Sequence, residues 1–267
     1  MYTENRVAMR AARTDKTALV LGAGGVFGAY QAGVWKALAD SFEPDLVVGA
    51  SIGALNGWLI AGGCPPDRLA HLWLNSEEHR RIRPRLPRRL WQGWLDLAPL
   101  EQALADLFAR FPPRLEYAAV VTDLLRRRPR IFTAREMTPQ HLLASCAVPG
   151  AFDLQRLDGR LCADGGLVAA LPVWAAVELG ATRIVAVNVL PEPPRALRLV
   201  RLGGRRLSRY RTPDVSGTQV IELGPEQPLG SFFGMLRYRR QDVERWIAQG
   251  ERDALRMKRS IAKCLER

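Results

Sequence analysis

Apolar and polar positions follow one another along this chain in a pattern that marks out strands, loops and helices in succession. Residues Thr17 to Leu21 form a short apolar run that breaks into Gly22-Ala23-Gly24-Gly25, followed by an alanine-rich segment from Ala29 to Ala39. That order predicts strand, glycine loop, helix. Leu46-Val47-Val48 predicts a second buried strand, which leads sharply into Ser51 and a small-residue helix from Ile52 to Ala61, ended by Pro65-Pro66. Two β-loop-α units in succession point to an α/β fold with a parallel sheet covered by helices.

Downstream the signals are shorter. Residues 67–113 predict an irregular helical region with Trp73, Trp91 and Trp94 among many arginines. Tyr117 to Thr122 and Arg130 to Thr133 read as strands, and His141 to Cys146 as a helix closed by Pro149-Gly150. Gly159 to Cys162 reads as a hairpin arm running into Asp164-Gly165-Gly166. A helix (Val173 to Leu179) and strand (Arg183 to Val189) follow, then a surface excursion over 191–213, a last strand at Val220 to Leu223, and helical spacing from Phe232 to Leu265. No repeat or linker interrupts the chain. The expected organisation is a flexible tail over residues 1–15 and a single domain over 16–267.

Composition narrows the picture. A chain of 267 residues that is 48% hydrophobic can bury a substantial core. No stretch reaches the ~20 apolar residues of a membrane-spanning helix, and the polar start lacks a signal-like run, so a cytoplasmic protein is expected. Cys64, Cys146, Cys162 and Cys264 are too scattered for a disulfide framework or a zinc site, so buried reduced thiols and no metal are expected. The net charge of +12, carried mostly by arginine, draws the surface toward polyanions. No nucleic-acid-binding module is recognisable, which leaves peripheral contact with an anionic membrane as the favoured partner class and nucleic acid as a disfavoured one. The stretch Leu197 to Leu202 and the Trp91/Trp94 region combine cations with apolar anchors, as interfacial binding requires, and read equally well as solvated arginines with ordinary core tryptophans.

Candidate chemistry centres on Gly49-Ala50-Ser51-Ile52-Gly53. This is a G-x-S-x-G sequence with an apolar strand before it and a helix after it, the setting of a nucleophile elbow. Its glycines, Gly49 and Gly53, let neighbouring backbone approach, and Ser51 would sit at a helix N-terminus that favours developing negative charge. A serine hydroxyl needs a base. The histidines are His71, His79 and His141, and none lies late in the chain where an α/β-hydrolase triad would place it. His71 and His79 read as surface residues, and His141 as a capping or packing residue. Asp164 is the best-placed carboxylate, although Asp-Gly is equally a common hairpin turn. The loop Gly22 to Gly25 offers backbone N–H groups to an oxyanion. Its rival use is a phosphate cradle, but the spacing Gly22, Gly24, Gly28 departs from the dinucleotide fingerprint, so a non-hydrolytic NAD(P)- or phosphate-binding protein is the weaker alternative.

Taken together, LGAGGVFGAYQAG, GASIG, ASCAVPGAF and ADGGLVAALPV resemble, in this order, the patatin-like phospholipases. The resemblance covers roughly residues 17 to 190. It implies a patatin-type three-layer α/β/α sandwich with a mainly parallel sheet, and a Ser-Asp dyad that needs no cofactor and no metal. By position, Ser51 would be the nucleophile, Asp164 the base, and Gly24, Gly25 and Val26 the oxyanion loop, with lipid or fatty acyl esters as substrates. Two positions depart from the family pattern: Phe27 stands where Lys or Arg is usual, and Ala170 where Asn is usual.

Overall fold

The computed structural model describes residues 15–76, 83–89, 91–96, 98–190, 214–231 and 234–265. His79, the expected excursion over 191–213 and nearly all of the expected tail lie outside these residues. In chain order the elements are β1 (Thr17–Leu21), α1 (Gly28–Leu38), β2 (Leu46–Ala50), α2 (Ile52–Ala61) and α3 (Pro66–Leu74). Then come β3 (Arg83–Pro84), β4 (Leu95–Asp96), α4 (Ala98–Arg110), β5 (Glu116–Asp123), β6 (Arg128–Thr133) and α5 (Pro139–Ser145). The series ends with β7 (Gln155–Leu157), β8 (Arg160–Asp164), α6 (Val173–Glu178), β9 (Arg183–Val187), β10 (Gln219–Leu223) and α7 (Arg240–Leu265).

Strands β10, β9, β1, β2 and β5 lie side by side in parallel, in that order. Antiparallel β6 pairs with β5 from Ala118 to Asp123, and antiparallel β8 pairs with β5 at Val121 to Asp123. β2 already pairs with β5 at Ala118 to Val120, residues that β6 also pairs. β2 and β6 therefore occupy opposite edges of β5, and β8 continues the β2 edge just past the point where β2 ends. This junction places the site.

The parallel strands read as near-continuous apolar runs because both faces are covered. Leu19, Leu21, Val47 and Val185 enter a large core shared with the helices on one face. Their neighbours Ala18, Val20, Val48 and Ile184 enter a smaller core closed by Trp174, Ala175 and Ala176 of α6. The result is a three-layer α/β/α arrangement. α7 covers the larger face with a stripe at helical spacing, Val243, Trp246, Ile247, Gly250 and Ala254.

Two regions differ from the sequence reading. The irregular helix expected over 67–113 is two helices, α3 and α4, separated by an antiparallel β3–β4 ribbon. Pro84 and Pro87 remove amide donors that a helix there would need. The last helix begins at Arg240 rather than Phe232, after a 3-10 turn at Gly234–Leu236. Among the described residues, no helix is long and apolar enough to cross a membrane.

Candidate active site

Ser51 follows β2 and caps α2 with φ 56° and ψ −129°, a conformation that L-residues rarely adopt. Strain of this kind persists only when the surroundings over-determine it. Here the Ser51 amide donates to Ser145 Oγ at 2.9 Å, and that hydroxyl donates to the Val120 carbonyl at 2.8 Å. Gly49 and Gly53 serve the same turn. A Cβ at Gly49 would strike the Gly53 carbonyl, and one at Gly53 would strike the Leu21 and Gly22 carbonyls. The elbow thus needs both glycines because two backbone segments pass where side chains would be.

The register brings the aspartate to the serine. Ala50, the residue before Ser51, pairs with Val120, and Asp164 pairs with the next residue, Val121. Asp164 is only 4% exposed. Its amide donates to the Ala147 carbonyl at 2.9 Å and its carbonyl accepts from Thr122 Oγ1 at 2.8 Å. Oδ1 accepts from the Gly166 amide at 2.6 Å. Oδ2 is sealed from solvent and accepts no hydrogen bond of good geometry, although the Ser51 hydroxyl is near enough to favour the charged carboxylate. Burial outweighs both of these neighbours and pushes the Asp164 pKa up to about 6.

The glycine loop closes the third side. It leaves β1 with the Gly22 amide on Val187 O at 3.0 Å and the Ala23 amide on Ala170 O at 2.7 Å. A 3-10 turn at Gly25–Phe27 follows, whose first hydrogen bond runs from the Phe27 amide to Gly24 O. The amides of Gly24, Gly25 and Val26 precede that bond, so the turn itself does not use them. Gly25 has φ +56°, and a Cβ there would collide with the Met235 carbonyl, so two constraints select glycine.

Several residues that the sequence reading passed over hold this arrangement. Gln31 donates to Gly22 O at 2.7 Å, and Asn56 Nδ2 donates to Gln31 Oε1 and Gly28 O, each at 2.9 Å. Trp73 Nε1 donates to Asn56 Oδ1 at 3.0 Å. This buried chain ties the glycine loop to α1, α2 and α3. Its only sequence signal was two amides in otherwise apolar helices. Ser145 carried a fainter one, a hydroxyl in an apolar helix end. Cys146 also proves to be more than packing: its thiol lies against Ser51, and burial, then the charge of Asp164, raises its pKa.

The histidines take no part in the pair. His71 is exposed, and His141 forms a capping box with Thr138 while burial lowers its pKa. All four cysteines are free, with Cys64 and Cys162 buried and Cys146 and Cys264 half-buried. Among the described residues, no group of three His, Cys, Asp or Glu side chains is placed to hold a metal ion.

Fold and site together define an α/β protein in which a strand-to-helix elbow presents a serine to a buried carboxylate. The sequence profile of the Patatin-like phospholipase family matches residues 19–177, and the chain belongs to that family. An uncharacterised NTE family protein of Mycobacterium bovis is 32% identical over 188 residues, which is 68% of this chain and 51% of that protein. Patatin-like phospholipase domain-containing protein 7 of Mus musculus is 28% identical over 196 residues, 64% of this chain and 13% of that protein. The matched region therefore spans about half of the first relative's length and 13% of the second's. VipD from Legionella pneumophila shares the fold with a TM-score of 0.54 at 13% identity, over 92% of this chain and 67% of that one.

Proposed function

We propose that this protein is a serine lipid acyl hydrolase that cleaves phospholipid, lysophospholipid or related fatty acyl esters with a Ser51–Asp164 dyad. The observation that carries this reading is the register at β5, where Ala50, next to the strained Ser51, pairs with Val120 and the buried Asp164 pairs with the adjacent Val121. Membership of the family supports the same chemistry.

In this reading Asp164 takes the Ser51 hydroxyl proton as Oγ attacks the acyl carbon. The carbonyl oxygen becomes an oxyanion held by the amides of Gly24, Gly25 and Val26 and by the positive end of α2. The ester C–O bond breaks, and Asp164 returns its proton to the leaving alcohol. Water then gives a proton to Asp164 as it attacks the acyl carbon of the acyl-enzyme; the acyl–Oγ bond breaks and Asp164 returns that proton to Ser51 Oγ, releasing the fatty acid and regenerating both groups. Because the base has a pKa near the operating range, it can both take and return a proton.

A cavity of about 540 Å³ supplies room for the acyl chain. Ile52, one residue past Ser51, is part of its lining, and Ser51 itself does not line it. Ile52, Leu55 and Leu59 of α2 line it together with Leu72 of α3 and Leu104 and Leu107 of α4. Of its charged lining residues Arg68, Asp106 and Arg110 are exposed, while the buried part of the lining combines Leu69, Trp73 and Leu104 with the polar Asn56 and Ser76.

The test is fluorophosphonate labelling beside an esterase assay of the wild type, Ser51→Ala and Asp164→Asn. The expected result is labelling and turnover in the wild type and neither in Ser51→Ala. Labelling that survives Ser51→Ala overturns the assignment. Saturable NADPH binding in a protein without esterase activity would favour the phosphate-ligand alternative.

A further inference from the structure

The β3–β4 ribbon carries an unusual surface. Leu86 is 79% exposed, Trp94 57% and Trp91 40%, and Arg83, Arg88 and Arg89 are exposed among them. Arg89 lies over the Trp91 ring at 5.6 Å. The ribbon's one acidic residue, Asp96, faces Arg85 at 3.7 Å. A soluble protein normally turns two tryptophans and a leucine inward, and three of them exposed together on one short ribbon call for a partner.

This ribbon is firmly anchored. The Trp94 and Leu95 amides donate to the carbonyls of Gly150 and Ala151 at 2.9 and 3.0 Å, and the Leu154 amide donates to the Trp91 carbonyl at 2.9 Å. The Asp153 carboxylate accepts from the Gly93 amide at 2.8 Å and pairs with Arg85. Gly93 packs directly on the Ala151–Phe152 backbone. The segment that receives these bonds starts just after Cys146, against Ser51, and runs into β7, the partner of the β8 strand that bears Asp164. The backbone therefore holds the exposed tryptophans in fixed relation to the candidate dyad.

We propose that the β3–β4 ribbon is a docking element for an anionic lipid surface, inserting Leu86, Trp91 and Trp94 at headgroup depth while Arg83, Arg88 and Arg89 meet lipid phosphates. Trp at the boundary with cations beside it is the composition that interfacial binding selects. A nucleic acid could use the arginines and the aromatic rings, but it would have no use for Leu86, the most exposed large apolar side chain of the three. The proposal rests on the lipid hydrolase reading for its sense, yet docking can be measured without turnover.

The test uses the full-length Ser51→Ala protein, which keeps vesicles intact, in co-sedimentation with vesicles of phosphatidylcholine alone or with phosphatidylglycerol added. Binding should need the anionic lipid and should weaken when salt rises from about 0.1 M to about 1 M, where screening shortens to roughly 3 Å. Adding Arg88→Gln and Arg89→Gln, or Leu86→Ser, Trp91→Ser and Trp94→Ser, should weaken binding roughly tenfold or more. The same ribbon substitutions in the Ser51 protein should leave hydrolysis of a soluble short-chain nitrophenyl ester unchanged, which shows that the fold survives. Equal vesicle binding by the ribbon variants overturns the proposal, as does binding indifferent to anionic lipid or displaced by RNA at equal charge. Ribbon-dependent vesicle binding in a protein with no esterase activity would uphold docking and sink the hydrolase reading alone.

Discussion

The Ser145 hydroxyl has one hydrogen bond to the Ser51 amide and another to the Val120 carbonyl, and it is wholly buried. Ser145→Ala would leave two buried backbone groups without that partner, at a cost of about 1–3 kcal/mol. Because one of them lies in the strained elbow, kcat for a soluble ester should fall with KM little changed, while circular dichroism shows a folded protein. A loss confined to thermal stability would make Ser145 merely structural. Asp164 gives a second residue-scale expectation. Its carboxyl must be ionised to accept a proton, so kcat/KM should decline as pH drops through about 6. Stability runs the other way. A folded pKa raised above the usual 3.8 means the native state holds the extra proton between about 4 and 6, so this group destabilises increasingly as pH rises through that window. Asp164→Asn should therefore abolish turnover yet raise the melting temperature measured at pH 7.5, and unchanged or lower stability would contradict the burial argument. The two departures from the family pattern also resolve at this scale. Phe27 is a core residue whose ring meets Trp246 edge-on at 5.0 Å, so an apolar contact anchors the loop end. Ala170 lacks an amide side chain, but its carbonyl still accepts from the Ala23 amide.

At the scale of elements, α2 joins the reacting serine to the cavity wall. Its N-terminus is Ser51, and Ile52, Leu55 and Leu59 repeat at helical spacing along one face. From Ile52 to Leu59 the helix rises about 10 Å, so under the proposed function this face of α2 would run alongside the acyl chain, beginning one residue past Ser51. Ala103 of α4 is a half-buried lining residue of the same cavity, so Ala103→Trp should fill the cavity without disturbing the sheet. In a nitrophenyl ester series, long-chain substrates should lose most of their kcat/KM while acetyl and butyryl esters keep theirs. An unchanged chain-length profile would place the acyl chain elsewhere. The contact of α7 with the glycine loop makes a different prediction. Trp246 is buried against Phe27 and donates to Leu229 O at 2.8 Å, so Trp246→Ala should cost about 3–5 kcal/mol in chemical denaturation.

For the whole molecule, charge and sheet topology act together. The net charge of +12 spreads attraction to anionic surfaces over the protein, while the β3–β4 ribbon concentrates apolar anchors at one place. Hydrolysis of anionic vesicles should therefore fall steeply with added salt, whereas hydrolysis of a soluble ester should not, since screening acts on exposed charges and hardly on the buried Ser51 and Asp164 proposed as the dyad. Equal salt sensitivity of the two assays would count against interfacial attraction.

Periodicity and local chemistry in the sequence determined the two β-loop-α units, the elbow around Ser51 and the glycine loop, because each depends on residues within a few positions of one another. The histidine census disfavoured the usual triad from chain order alone, since no histidine falls late in the sequence. Tertiary structure decided what depends on distant chain segments meeting. Local chemistry left Asp164 open to reading as an ordinary Asp-Gly turn, and only a family resemblance favoured it; its place beside Ser51 follows because β8 continues the β2 edge of β5. Ser145, Gln31 and Asn56 matter only through backbone groups they meet across the fold. The ribbon between α3 and α4 was misread as helix because apolar residues among arginines have no fixed period until pairing and prolines impose one. Exposure of Trp91 and Trp94, against burial of Trp73, was likewise beyond the sequence, since a tryptophan's surroundings are set by packing and not by its neighbours in the chain.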